Sequence, residues 1–141
     1  MKKIAVVYWS GTGNTEKMAY AVADGAKSLG ADVCVMTPAE FDPDTLASYD
    51  AVGFGCPAMG DEVLEESEFA PMFDACRGKL SGKRVGLFGS YGWGDGEWMR
   101  SWESDCISLG AKLVGDSVIC NEAPDDAALA DCRALGAALS A

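Results

Sequence analysis

Apolar runs alternate with amphipathic segments along the whole chain. Residues 3–8 form the first run, in which Ile4, Ala5, Val6 and Val7 follow one another without polar alternation, as in a strand buried on both faces. Similar runs predict strands at residues 31–37, 50–56, 83–89 and 112–120. Because strands and helices alternate, the pattern predicts one parallel sheet with helices on both faces and right-handed crossovers.

Apolar side chains recur at helical spacing between these strands. The first helix is predicted over residues 14–29, where Gly30 ends it. Its apolar face consists of Met18, Val22, Ala26 and Leu29. Later helical faces consist of Phe69, Met72, Phe73, Cys76 and Leu80, of Trp98, Trp102, Cys106 and Leu109, and of Leu129, Cys132, Leu135 and Leu139. A short helix is expected at residues 43–48. The length of 141 residues predicts a single domain over residues 1–141.

The composition narrows the classes of function. Apolar residues make up 49% of the chain, but no apolar run approaches the roughly 18 residues that cross a bilayer, and no signal peptide is visible, so we expect a cytoplasmic protein. The net charge of −11 argues against binding to nucleic acid or anionic membranes and favours partners with basic surfaces. The six cysteines lie at least 12 residues apart and histidine is absent, which argues against a zinc site, a thioredoxin-type pair and a Cys–His nucleophile.

A turn rich in glycine and hydroxyl groups follows the first strand, with the sequence Ser10-Gly11-Thr12-Gly13-Asn14-Thr15. Its glycines let the backbone approach a ligand, and the helix that follows adds unpaired N–H groups and a partial positive charge. A nucleoside-triphosphate loop would have a lysine at the helix start, and a dinucleotide loop would have a third glycine where Glu16 stands. The turn therefore favours a single monophosphate, although a turn that only caps a helix has the same composition.

Two further loops of unusual composition follow the third and fourth strands. They are Pro57-Ala58-Met59-Gly60-Asp61-Glu62 and Ser90-Tyr91-Gly92-Trp93-Gly94-Asp95-Gly96. Loops at the carboxyl ends of parallel strands open on one edge of the sheet, where ligands bind. Trp93 on its glycine-rich loop indicates a flat ligand stacked on the indole, and Met59 offers an apolar surface for the opposite face. The sequence thus predicts a mononucleotide site with a large ring, unless Trp93 folds back over the core.

The three loops together resemble those of the flavodoxins, and most closely those of the short-chain members from anaerobes. The resemblance covers essentially the whole chain. It implies an α/β, flavodoxin-like three-layer sandwich with a five-stranded sheet in the order 2-1-3-4-5, and one non-covalently bound FMN as cofactor. Long-chain flavodoxins carry an insertion in the last strand, whereas residues 112–120 are predicted to form an uninterrupted strand.

The resemblance also implies a role for each loop residue. The implied phosphate ligands are Ser10, Thr12, Asn14 and Thr15, together with the amides of their loop. Met59 and Trp93 would lie on the inner and outer faces of the flavin, Glu62 would accept a hydrogen bond from flavin N3–H, and the Gly60 carbonyl would face N5. The other implied contacts are Gly11, Gly13, Pro57, Ala58, Asp61, Ser90, Tyr91, Gly92, Gly94 and Asp95, with Asn121 near the ribityl chain or ring edge. Some relatives have serine in place of Pro57, and others have proline, so we expect no loss of function there.

The implied function is that of a low-potential one-electron carrier, which cycles mainly between FMN semiquinone and hydroquinone and has no substrate of its own. Its implied partners are redox enzymes of the ferredoxin-using type with basic docking surfaces, and the carrier is expected to be a monomer. Five acids within residues 61–68 would oppose negative charge on the flavin and lower its potential.

Two other functions belong to the same fold. A flavodoxin-like NAD(P)H-dependent quinone or nitro reductase is the alternative, but such an enzyme needs room over the flavin, where Trp93 would lie. A phosphoacceptor signalling domain would need clustered aspartates after the first strand, and Trp9-Ser10-Gly11 stand there instead.

Overall fold

The computed structural model describes all residues, 1–141, and contains one mostly buried parallel sheet. Its strands are β1 (Lys3–Tyr8), β2 (Asp32–Met36), β3 (Ala51–Gly55), β4 (Arg84–Tyr91), β5 (Lys112–Leu113) and β6 (Val118–Asn121). Its helices are α1 (Asn14–Lys27), α2 (Phe69–Cys76), α3 (Glu97–Ser108) and α4 (Asp126–Ser140), with short 3₁₀ helices at Pro43–Ser48 and Arg77–Lys79. The order is β2-β1-β3-β4-β5, and β6 also pairs with β4. This confirms the predicted fold class and strand order.

Side chains on the two faces of β1 show how the sheet divides the core. Ile4 and Val6 belong to an apolar cluster with residues of α1 and α4, whereas Ala5 and Val7 belong to a second cluster with residues of α2 and α3. All four side chains are completely buried, which is why the sequence shows a continuous apolar run in place of alternation. None of the helices combines the length and the apolar character needed to cross a membrane.

Two glycines allow α1 and α4 to pack backbone against backbone. A Cβ atom added at Gly25 would lie 1.9 Å from the carbonyl oxygen of Arg133, and one added at Gly136 would lie 1.9 Å from that of Val22. Any side chain at either position would push the helices apart. The close contact fixes α1, and therefore the loop that precedes it, against the sheet.

The first helix is shorter than predicted. α1 ends at Lys27, and the N–H of Ala31 returns to donate to the carbonyl of Ala26 (3.3 Å) across Gly30, which has φ +86°. Such an ending reverses the chain within one turn. The prediction that Leu29 shares the apolar face of the helix was wrong, since this side chain is 60% exposed.

The fifth strand is interrupted, contrary to the prediction of a continuous strand over residues 112–120. Leu113 pairs with Val85 and Val118 pairs with Phe88, so residues 114–117 on one strand lie opposite only residues 86–87 on the other. Gly115 has φ +65°, a left-handed conformation that takes the chain out of the hydrogen-bonded ladder. The strand resumes as β6 and ends, like β1, β3 and β4, at the same edge of the sheet.

Candidate functional site

The loops that follow β1, β3 and β4 meet at the carboxyl edge of the sheet and enclose a cavity of about 510 Å³. β2 and β3 lie on opposite sides of β1 in the sheet, so the winding direction of the chain reverses at this point. The cavity is lined by Trp9, Gly11, Thr12, Asn14, Pro57, Ala58, Met59, Ser90, Tyr91, Gly92, Glu122 and Ala123. Its volume is in the range of small-molecule sites.

The loop after β1 exposes backbone donors to this cavity. Gly13, with φ +95°, precedes the first residue of α1, and no side chain caps this helix start. Its N–H donates to the Oγ of Ser10 (3.0 Å), so Ser10 holds the shape of the loop. The first amides of a helix have no partner within the helix, and here they remain available to an anion.

Two buried hydroxyls join the first loop to the third. Thr15 is 1% exposed and Ser90 is 5% exposed, and their hydroxyl oxygens lie 3.4 Å apart. The backbone N–H of Ser90 also donates to the hydroxyl of Thr15, again at 3.4 Å. Thr15 therefore supports the wall of the cavity from below and does not line it.

The loop after β3 forms a tight hairpin. The N–H of Met59 donates to the carbonyl of Val63 (2.9 Å), and the N–H of Val63 donates back (3.1 Å). Gly60 and Glu62 in the turn have positive φ angles of 46° and 57°. The hairpin places Met59 in the wall of the cavity and Gly60 at its rim.

Glu62 points from this hairpin towards the loop after β4. A Cβ atom added at Gly94 would lie 2.3 Å from its Oε1, so only a glycine fits beneath the carboxylate. Oε1 is buried and has no hydrogen-bond partner in the protein. A buried carboxylate oxygen without a donor is costly, and an N–H group from a ligand would remove this cost.

Trp93 lies on the loop between β4 and α3 and is 64% exposed. The interpretation that it folds back over the core is therefore wrong, and the indole is free to cover a ligand. The neighbouring aromatic residue Tyr91 does pack inwards, with its ring 5.5 Å from that of Trp98.

Cys56 anchors the second loop to the third. Its N–H donates to the carbonyl of Phe88 (3.1 Å), and its own carbonyl accepts from the indole N–H of Trp98 (3.1 Å). The N–H of Ala58 donates to the carbonyl of Ser90 (3.0 Å). Burial raises the pKa of the Cys56 thiol to about 12, so it remains a neutral packing group.

Glu65 does not belong with the acids at the cavity. It is buried, and its carboxylate accepts hydrogen bonds from the amides of Ser67 (2.8 Å), Glu68 (2.7 Å) and Phe69 (2.8 Å) and from the Ser67 hydroxyl. Burial by itself would raise the pKa of Glu65, but the hydrogen bonds from Ser67, Phe69 and Glu68 outweigh it and lower the pKa to about 2. This carboxylate stabilises the start of α2.

The candidate residues fall into two groups. Those that line the cavity are Gly11, Thr12, Asn14, Pro57, Ala58, Met59, Ser90, Tyr91 and Gly92. Those that support it or lie around it are Ser10, Gly13, Thr15, Gly60, Asp61, Glu62, Trp93, Gly94, Asp95 and Asn121. The side chain of Asn121 donates to the carbonyl of Tyr91 (3.4 Å), which ties the end of β6 to the third loop.

Three lining residues were not among the sequence candidates. Trp9 follows β1 directly and its indole N–H donates to Glu68 (3.4 Å). Glu122 and Ala123 follow β6, and the N–H of Glu122 donates to the carbonyl of Tyr91 (2.8 Å). Their position directly after a strand could have identified all three, because every strand of a parallel sheet ends at the same edge.

Comparisons with known proteins agree with this geometry. Residues 6–136 match the family model described as Flavodoxin. The chain belongs to the flavodoxin family. Flavodoxins are electron-transfer proteins that bind FMN.

Two flavodoxins match nearly the full chain. The flavodoxin of Clostridium beijerinckii is 49% identical over 131 residues, which are 93% of this chain and 94% of the relative. That of Megasphaera elsdenii is 47% identical over 135 residues, 96% of each chain. The solution structure of the two-electron reduced Megasphaera elsdenii flavodoxin superimposes with a TM-score of 0.89 and covers 97% of this chain and 98% of its own. These matches support the short-chain assignment even though the fifth strand is interrupted.

Proposed function

We propose that the chain binds one FMN non-covalently in the cavity at the carboxyl edge and carries single electrons between redox enzymes, without a substrate of its own. The observation that carries the proposal is a pair of unsatisfied polar groups on two loops at the same edge of the sheet. Uncapped amides at the start of α1 need an anion, and the buried Oε1 of Glu62 needs a donor. FMN has a phosphate at one end and the N3–H of its ring at the other.

The phosphate would be held at the first loop by hydrogen bonds. No lysine or arginine lines the cavity, so the charge of the phosphate would be met by loop amides, by the hydroxyl of Thr12 and by the positive end of the α1 dipole. This arrangement favours a monophosphate over a triphosphate with its magnesium ion.

The ring would lie between Met59 and Trp93. The methionine is fixed in the wall by its hairpin, and the indole is exposed on the loop after β4. Glu62 would accept from N3–H at the inner edge of the ring. The whole set of sequence candidates then surrounds one ligand, with Trp9, Glu122 and Ala123 added.

Gly60 would select the redox states that the carrier uses. Its carbonyl would face N5. Because Gly60 has a positive φ and no atom within 4 Å of a Cβ added there, the peptide would be able to turn over and accept a hydrogen bond from N5. By favouring the one-electron reduced state in this way, Gly60 would limit the physiological cycle to the semiquinone and hydroquinone. The hydroquinone couple is the low-potential couple.

Acidic residues would make that couple more reducing. Asp61 and Glu62 lie in the hairpin, and Glu122 lines the cavity. A unit charge about 10 Å away in water-like surroundings interacts by roughly 0.4 kcal/mol, which corresponds to about 20 mV for one electron. Three such charges together would contribute roughly 1.2 kcal/mol and lower the potential by roughly 50 mV, and salt would reduce the effect.

The same charges would select the partners. With a net charge of −11 and acids around the cavity, the chain would approach ferredoxin-using reductases and oxidoreductases through their basic surfaces, as a monomer. Exposed Trp93 marks the edge at which electrons would enter and leave. A quinone or nitro reductase would instead need a second ring over the flavin, in the space beneath Trp93.

Visible spectroscopy of the purified protein, with a titration of the apoprotein by riboflavin 5′-phosphate, tests the proposal. We expect flavin absorbance and one equivalent of FMN at saturation. A colourless protein that takes up no FMN would overturn it. Adding NADPH alone should leave the flavin oxidised, and adding NADPH with a ferredoxin reductase should bleach it. Rapid bleaching by NADPH alone would identify an enzyme.

A further inference from the structure

The loop that carries Trp93 is held at a single polar point. Residues 92–95 lie outside every helix and strand, and the only hydrogen bonds they make in the protein are two that Asp95 accepts from Arg100. Gly92, Trp93 and Gly94 make none. The position of the indole therefore depends on how Asp95 is held.

Arg100 holds Asp95 with both ends of its guanidinium. Nη1 donates to the backbone carbonyl of Asp95 and Nη2 donates to its carboxylate Oδ1, each at 2.9 Å. Arg100 is the fourth residue of α3 and reaches back over Gly96, which has φ +92°. A two-point contact from a helix to one loop residue fixes orientation as well as distance.

Arg100 is also the cation within a group of acids that lie on the hairpin after β3, on the loop after β4 and at the start of α3. Carboxylate oxygens of Glu62, Asp95 and Glu97 lie within 4.8 Å of one another, and Nη2 of Arg100 is 3.7 Å from Glu97. The hydrogen bond and charge of Asp95, followed by the charges of Glu97 and Glu62, raise the pKa of Arg100. No other basic residue occurs between Arg84 and Lys112.

We propose that Arg100 is a positioning residue, which holds the Trp93 loop over the flavin and offsets the negative charge of Glu62, Asp95 and Glu97. The proposal rests on FMN as the ligand of the cavity. Arg100 acts through Asp95 and touches no ligand itself. Its loss would free the indole and leave the carboxylates of Glu62, Asp95 and Glu97 without a cation.

Three variants separate the tether, meaning the two hydrogen bonds from Arg100 to Asp95, from the positive charge of Arg100. Arg100→Met removes both, and Arg100→Lys keeps the charge but replaces the two-nitrogen fork with one nitrogen. Arg133→Met is the control, because Arg133 is an exposed arginine of α4 with no salt bridge. Thermal unfolding of each apoprotein verifies the fold.

The first measurement uses the apoprotein and does not depend on FMN. We expect the ¹⁵N order parameters of the Trp93 and Gly94 amides to fall in Arg100→Met from those of rigid backbone, about 0.85, towards about 0.6. They should stay unchanged in Arg133→Met. Unchanged values in Arg100→Met would overturn the tether, whether or not the chain binds FMN.

The second measurement is the dissociation constant for FMN. We expect it to rise about three- to tenfold in Arg100→Met and in Arg100→Lys. Full recovery by lysine would assign the effect to charge alone and overturn the two-point tether. If the wild type itself took up no FMN, the proposed function would fail, and the order parameters would still decide the role of Arg100.

The third measurement is the potential of the hydroquinone couple. Loss of the cation should make the reduction about threefold less favourable in Arg100→Met, which equals about 30 mV. The potential should return to the wild-type value in Arg100→Lys. A shift of the same size in the lysine variant would overturn the part assigned to charge.

Discussion

The hydroxyl oxygens of Thr15 and Ser90 lie 3.4 Å apart beneath the cavity, and both residues are almost fully buried. One belongs to the helix that follows β1, and the other is near the end of β4. Their contact joins the loop after β1 to the loop after β4, which carries Trp93. The floor of the site therefore depends on a polar contact inside an apolar core.

Replacing Thr15 by valine keeps its volume and removes the hydroxyl. We expect Thr15→Val to lower the free energy of unfolding by about 1–3 kcal/mol, because the N–H of Ser90 loses its partner in a buried place. The affinity for FMN should fall as well. Urea unfolding of the apoprotein measures the first effect. Thr45→Val, which removes an exposed hydroxyl bonded to Asp42, serves as the control and should change the stability by less than about 0.5 kcal/mol.

Gly60→Ala tests the peptide that would face N5. A Cβ atom at Gly60 meets nothing within 4 Å, so the substitution acts only through the positive φ that alanine disfavours. We expect less semiquinone in a one-electron reductive titration. Gly78→Ala is the matched control, because Gly78 also has open space but no positive φ. An unchanged titration in Gly60→Ala would contradict the role of this peptide.

Glu62→Gln tests the unpaired carboxylate. The amide oxygen can still accept from N3–H, but the negative charge is gone. We expect the free energy of unfolding of the apoprotein to increase and the hydroquinone potential to rise by roughly 20 mV or more. Asp131→Asn removes an exposed acid on α4 and should leave both values unchanged. A fall in apoprotein stability on Glu62→Gln would show that the unpaired carboxylate does not destabilise the folded apoprotein.

Glu65 should make stability depend on acid pH. The folded-state pKa of about 2 lies below its ordinary value of 4.5, so the stabilisation is fully present above pH 4.5 and is lost as the pH falls from 4.5 towards 2. We expect Glu65→Gln to lower the free energy of unfolding at pH 7 by about 1–3 kcal/mol and to flatten the decline between pH 4.5 and 2. Glu66→Gln, at an exposed neighbouring position, should retain the steep decline.

Local patterns in the sequence determined the architecture. Uninterrupted apolar runs such as Ile4 to Val7 are typical of strands buried on both faces, and their alternation with helical segments indicates a parallel sheet between helices. The same patterns placed the three loops at one edge, because parallel strands all end there. The glycines and hydroxyls of the first loop indicated an anion site before any contact was known.

Only the tertiary structure decided which loop residues face the cavity and which support it. Thr15 and Glu65 have the chemistry of ligands, but one is buried against Ser90 and the other caps α2. The interruption at Gly115 and the hydrogen bonds from Arg100 to Asp95 also appear only in the folded chain, because apolar periodicity carries no information on backbone φ or on the partner of a polar side chain. Periodicity reports which side of an element is buried, whereas the role of a polar side chain depends on the partner that the fold brings within 3 Å or so.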